Sequence, residues 1–244
     1  MGYWTTLHLF DDKKFYKEVV PILKGEAGNL TNEFVEFLKS HVTGGIAHLA
    51  KGDINNLVEQ TIKKINSISN SLDKTFKTSG EYQKIKDYDT QRHFLNDLDG
   101  YYDFCKFFEY YIFMTCSDFF PHLPLGKGGV LRNFEINVKT LSHSIIGALD
   151  NWNEFLCGDG MGITNWITNE EVQVLYLDKV NLRFNDNERA ESFLTLLEVA
   201  HEYKLGFIMG VDMREGVLEL LPNNKLTNPE IWSSKNTTGL LWKR

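Results

Sequence analysis

Residues Tyr101–Phe120 read YYDFCKFFEYYIFMTCSDFF, and ten of these twenty positions are Phe or Tyr. The segment has the length of a helix, and so much bulk around one axis marks the centre of a helical core. It is not a membrane span, because Asp103, Lys106, Glu109 and Asp118 interrupt it and charges are costly in lipid. Cys105 and Cys116 lie inside it and Cys157 lies further on. Three cysteines, an odd number without zinc-site spacing, read as buried free thiols in a reducing compartment.

Working outward, the rest of the 244-residue chain has ordinary globular composition, 42% hydrophobic and 24% charged. It can fill a core without disulfide staples. The start, MGYWTTLHLFDDKK, has no basic, apolar and small-residue sequence of an export signal. Gly2 to Thr6 formally fits a myristoylation pattern, but the bulky Tyr3 and Trp4 suit a strand better. The expected location is cytoplasmic, with no membrane association. Lys outnumbers Arg, and Asn and Ile are plentiful, a coding habit of low-GC bacterial genomes. The formal net charge of −7 repels phosphate backbones, which disfavours nucleic acid, and it suits a basic partner.

Trp4, Thr6, His8 and Phe10 alternate with Tyr3, Thr5, Leu7 and Leu9, the period of a strand. Asp11 or Asp12 then caps a helix bearing Phe15, Val19, Ile22 and Leu23, with Pro21 as a kink and Gly25 as a stop. Helical stripes follow over Thr31 to Val42 and from an Asp53 cap through Ile54, Leu57, Val58, Ile62, Ile65, Ser69 and Leu72. Pro121, Pro124, Gly126, Gly128 and Gly129 predict a long surface loop near 121–130. Leu141 to Leu156 reads as a helix ended by CGDGMG, Cys157 to Gly162. Thr168 and Glu171 have capping-box spacing for a helix through Leu177. Asn185 or Asp186 caps the next helix, whose core face is Phe193, Leu196, Leu197 and Ala200 and whose stop is Gly206. GFIMGVD, Gly206 to Asp212, reads as a buried strand; a short helix spans Glu215 to Leu221, and Gly239 to Trp242 offers a last strand. The expected fold is α+β, one mainly α-helical domain over residues 1–244 with a small β-sheet that includes the N-terminal strand.

Motifs with chemistry are thin. Glu198 and His201 have E-x-x-H spacing, but a carboxylate-bridged di-iron site needs a second such pair. Asp97, Asp99 and Asp103 hint at a calcium loop, yet the first and last ligand positions fall on Leu95 and Lys106. GKGG at Gly126 to Gly129 lacks the remaining parts of a P-loop, and GDGMG follows a predicted helix where a dinucleotide fingerprint needs a strand. No cofactor and no metal are therefore expected.

Two functional readings follow. In the first, the protein is a non-catalytic cytosolic binding protein. Its contact residues are the acidic Asp97, Asp99 and Asp103, with Asp159, Asn165 and Trp166 on a glycine-rich loop. In the alternative it is a hydrolase whose site is assembled from dispersed residues, with Glu198, His201 and Asp212 as candidates. TLLEVAHEYKLGFIMGVD, Thr195 to Asp212, resembles the late helix–glycine–strand unit of some uncharacterised bacterial single-domain proteins, some of which look like immunity-type proteins of polymorphic toxin systems. The resemblance spans less than a tenth of the chain. It implies steric neutralisation of a basic toxin, and it assigns no functional residue.

Overall fold

The computed structural model describes residues 5–41, 51–77, 101–126, 134–135, 162–184, 187–213, 218–222 and 225–242. Strand β1, Thr5–Phe10, is buried at all six positions. Alternation in its sequence therefore separates two cores and not a core from solvent. Asp11 caps the following helix by accepting from the Lys14 amide at 2.9 Å. That helix runs as α1 (Asp12–Lys14), a π-helical stretch (Phe15–Val19) and α2 (Val20–Leu23). Pro21 has no N–H to return to the preceding turn, and the ladder widens just before it, with Val20 N–H bonded to the Phe15 carbonyl. Gly25, at φ +74, turns the chain out.

Helices α3 (Thr31–His41), α4 (Lys51–Lys77) and α5 (Tyr101–Thr115) come next. Helix α4 begins two residues ahead of the expected Asp53 cap, which sits in its first turn. Its buried stripe is Val58, Ile65, Ile68 and Ser69, while Leu57 is exposed, contrary to the expected face. Helix α5 is the aromatic segment. Phe107, Phe108, Tyr110, Tyr111, Ile112 and Phe113 are all buried, so this helix is enclosed on every side. Its rings meet Phe34 and Phe37 of α3 at 5.3 to 5.5 Å, with interplanar angles that favour edge-to-face contact.

The stretch expected to be a surface loop near 121–130 contains β2, Leu123–Gly126. Leu123 and Leu125 are buried, and Pro124 is tolerated because β2 is an edge strand with no inward N–H to give at that position. Strand β3 (Phe134–Glu135) pairs with a second short strand, described below. Strand β4, Gly162–Ile167, starts at the last residue of the expected helix-ending turn and takes in Asn165 and Trp166, which were expected on a glycine-rich loop. A register shift between Ile163 and Asn165 breaks the simple alternation that would have marked it. Helix α6 (Asn169–Leu177) carries the full Thr168–Glu171 capping box. Strand β5 (Arg183–Phe184) pairs with β3. Helix α7 (Asn187–Tyr203) buries Phe193, Leu196, Leu197 and Ala200 as its spacing requires. It ends at Lys204, which takes φ 56, and not at Gly206, which opens β6 (Gly206–Val211). Helix α8 (Pro229–Ser233) follows, capped by Asn228.

Strands β2, β1, β6 and β4 lie side by side in that order, each antiparallel to its neighbour. The expected C-terminal strand is absent from this sheet: Leu241 contributes a single bridge, to His122. Leu7, Leu9, Leu123, Leu125 and Phe207 point into one core with α6, α7 and Trp232 of α8. Phe10, Ile208, Ile163 and Trp166 point into the other, with α2, α3, α4 and α5. The molecule is thus mainly helical α+β, with a four-stranded antiparallel sheet covered by helices on both faces. The helix expected over 141–156, the Asn185 or Asp186 cap and the first three residues of the helix expected over 215–221 lie outside the described residues.

Candidate functional site

Polar groups gather where the sheet meets the turn after α5. His8 and His122 are buried, 0% and 1% exposed, with ring centroids 4.8 Å apart. Both imidazoles donate from Nδ1 to one acceptor, the Phe119 carbonyl, at 3.0 and 2.9 Å. His8 Nε2 then accepts from the Thr6 hydroxyl at 2.8 Å, which fixes the neutral tautomer. Phe113 and Phe119 close over His8 at 4.9 and 5.0 Å. Burial first, and then the neighbouring His122, hold the His8 pKa well below its ordinary value. An aromatic-walled imidazole with both nitrogens engaged is a structural element, and it has no lone pair to offer a reactant.

Three carboxylates close other junctions. Asp12, buried after β1, accepts from the Asn169 amide at 3.1 Å and so ties the start of α1 to the start of α6. Asp118 accepts from the Leu226 amide at 2.9 Å and ties the turn after α5 to the C-terminal segment. Desolvation pushes both up to about 6. Glu171 is raised by the same cause and accepts from the Thr168 amide at 2.7 Å. Cys116, 0% exposed, has its thiol pushed up to about 12 by burial, which makes it inert at neutral pH.

On the opposite core face, α6 and α7 meet through Tyr176 and His201, whose rings stack at 3.8 Å with planes 8° apart. Lys179 Nζ lies 3.8 Å from the centre of the same tyrosine ring. Just beyond, Leu177 and Val180 are 80% and 78% exposed. Lys235 bridges Glu198 at 3.0 Å and Glu202 at 3.8 Å on the outer side of α7. A groove of about 490 Å³ lies between α2, α3 and α4, lined by Ile22, Val35, Val58, Ile62 and the amides of Asn55 and Asn66.

The described residues among those singled out in the sequence do not gather in one place. Asp97, Asp99 and Asp159 lie outside the described residues, as does Cys157. Asp103 is in the first turn of α5, and Asn165 is in β4 opposite Met209. Trp166 is 1% exposed, packs on Phe10 and Phe15 at 5.9 and 5.3 Å, and donates to the Tyr16 hydroxyl at 3.1 Å. It is therefore a core residue and not a contact residue, because burying its large apolar surface outweighs any use at an interface. Glu198 is paired to Lys235, and His201 stacks on Tyr176. Asp212 follows the far end of β6, roughly 20 Å of strand from the end of α7. That trio does not assemble a hydrolytic site. Among the described residues no group of three His, Cys, Asp or Glu side chains is placed to hold a metal ion. The pairing of His8 with His122 was invisible in the sequence, since only the sheet and the turn bring them together.

No known family model matches this chain, and no curated protein or solved structure does so either. Among the described residues no helix is long and apolar enough to cross a membrane.

Proposed function

We propose that this protein is a non-catalytic binding protein that recognises another protein through its surface. One observation carries the reading. His8, Asp12, Asp118 and Glu171, the buried imidazole and carboxylates with shifted pKa values, each bond a backbone group of the fold itself. Perturbed ionisable groups usually point to catalysis; here each perturbation comes from burial of the group at a junction it holds. Recognition then falls to the exterior. A net charge of −7 favours a basic partner and speeds encounter with it. The exposed pair Leu177 and Val180 supplies apolar contact of the kind that anchors interfaces. Steric neutralisation of a basic toxin, the immunity-type role, is the specific form of this reading.

The test is retrieval of partners from the native cell on tagged protein, followed by titration of each purified candidate. A basic protein that binds saturably supports the reading. Failure of every purified candidate to bind, or a substrate turned over by the wild type and not by His201→Ala, contradicts it.

A further inference from the structure

We propose that the His8–His122 pair is an acid-sensitive latch that holds the β2 edge and the C-terminal segment on the sheet, and that it opens locally when protonated. The geometry is specific. The turn 117–122 is the shared anchor of several pieces of chain. Ser117 bridges Phe10 and donates to the Leu9 carbonyl at 2.7 Å. His122 exchanges both backbone bonds with Leu241 at 2.9 Å. Asp118 holds the Leu226 amide. Within that turn the Phe119 carbonyl receives both imidazoles, each of which must keep its proton on Nδ1. A second proton on His8 has to go to Nε2, where the Thr6 hydroxyl now donates at 2.8 Å. That bond would have to reverse, and a cation would sit 4.8 Å from a second imidazole inside an aromatic wall.

Among the described residues no anion is placed to offset that cation. From β1 the neighbour is Thr6; from α5 it is Phe113; from β6 the opposite residue is Ile208; from the turn come Phe119 and His122. The nearby carboxylate, Asp118, is committed to Leu226 and feels Lys225. Charging His8 is therefore relieved only by letting the turn leave the sheet. Opening frees the outer edge of β2 and uncovers Trp232, against which Trp242 packs at 5.4 Å. The helical half, centred on α5, has its own core, to which the turn contributes Phe119 beside Phe113, while Phe107 and Phe108 pack away from it on Phe34, Phe37 and Phe15.

The sign of the pH effect follows from linkage. His8 has a folded pKa below its unfolded value near 6.5, so its contribution is full above about 6.5 and is lost as the pH falls. Asp118 works in the other direction, since its folded pKa of about 6 lies above 3.8 and favours the closed state as acid is added. Asp118→Asn removes that opposing contribution and is the background in which to look.

The experiment is amide hydrogen exchange on the full chain at pH 7.5 and 5.5, with protection factors corrected for intrinsic exchange. In Asp118→Asn the Leu241 and His122 amides should lose about tenfold in protection, the effect of one imidazole that is neutral when closed and charged when open. Amides of Phe107 and Phe108, which pack away from the turn, should keep theirs. Adding His8→Phe, or His8→Gln should the phenylalanine variant not fold, should flatten the dependence whatever the absolute stability. An unchanged Leu241 protection factor, an equal loss at Phe107 and Phe108, or the same pH dependence without His8 would each overturn the latch.

Discussion

His8 and His122 share one hydrogen-bond acceptor, the Phe119 carbonyl, although His8 and Phe119 are 111 residues apart in the chain. Two imidazoles on one oxygen make a tightly defined corner between the first strand and the turn after the aromatic helix. The same economy recurs at Asp12 and Asp118, where a carboxylate that would ordinarily sit in water is placed on a distant backbone amide. The polar interior of this protein is thus a set of ties between chain segments.

Asp12 gives a direct check on that reading. Its folded pKa of about 6 exceeds the ordinary 3.8, so the stability it contributes is fully present below 3.8 and is lost as the pH rises through 6. Asp12→Asn keeps an acceptor oxygen for the Asn169 amide and removes the titration. Urea midpoints at pH 4.5 and 7.5 should show wild type gaining on the variant at the lower pH. An equal difference at both values would show that Asp12 ionises normally.

Gly206 opens β6 against β4 so closely that a Cβ there would run into the Ile167 carbonyl oxygen. Backbone cannot swing aside as a side-chain end can. Gly206→Ala should cost about 1–3 kcal/mol, the usual range for overpacking, read as a lower urea midpoint at unchanged slope. A neutral result would show that the two strands separate freely at this end.

Much of this architecture was legible in the sequence and some was not, for definable reasons. The period-two pattern of β1, the capping box at Thr168 and the core stripe of α7 are local signals, and each appears as read. Strand β2 was hidden because Pro124 and Gly126 look like a loop, and only its edge position makes the proline acceptable. Strand β4 was hidden by its register shift. Trp166 looked like a surface anchor because an indole serves interfaces and cores alike. The bonds of His8, Asp12 and Asp118 were beyond reach, since each partner lies far along the chain and no spacing rule connects them.

Cys116 should be chemically silent. Its thiol is fully buried and pushed up to about 12. In a Cys105→Ser, Cys157→Ser background, a disulfide reagent such as DTNB at pH 8 should modify it at least a hundredfold more slowly in native protein than in 6 M guanidinium. Rapid native labelling would mean that the end of α5 opens readily.

The acidic stretch Asp97, Asp99 and Asp103 is the part of the recognition reading that the sequence alone supplies. Reversing all three to lysine should weaken binding to a basic partner by at least tenfold and leave the circular dichroism spectrum and melting temperature within error. Unchanged affinity would remove this stretch from the contact surface.

The most direct measurement of the central claim is the affinity of the purified partner as a function of salt. Isothermal titration at 50 and 500 mM sodium chloride should give saturable binding at both, with association weakened at the higher concentration as screening removes the attraction between an acidic surface and a basic one. Affinity that is independent of salt, or that rises with it, would contradict recognition by charge.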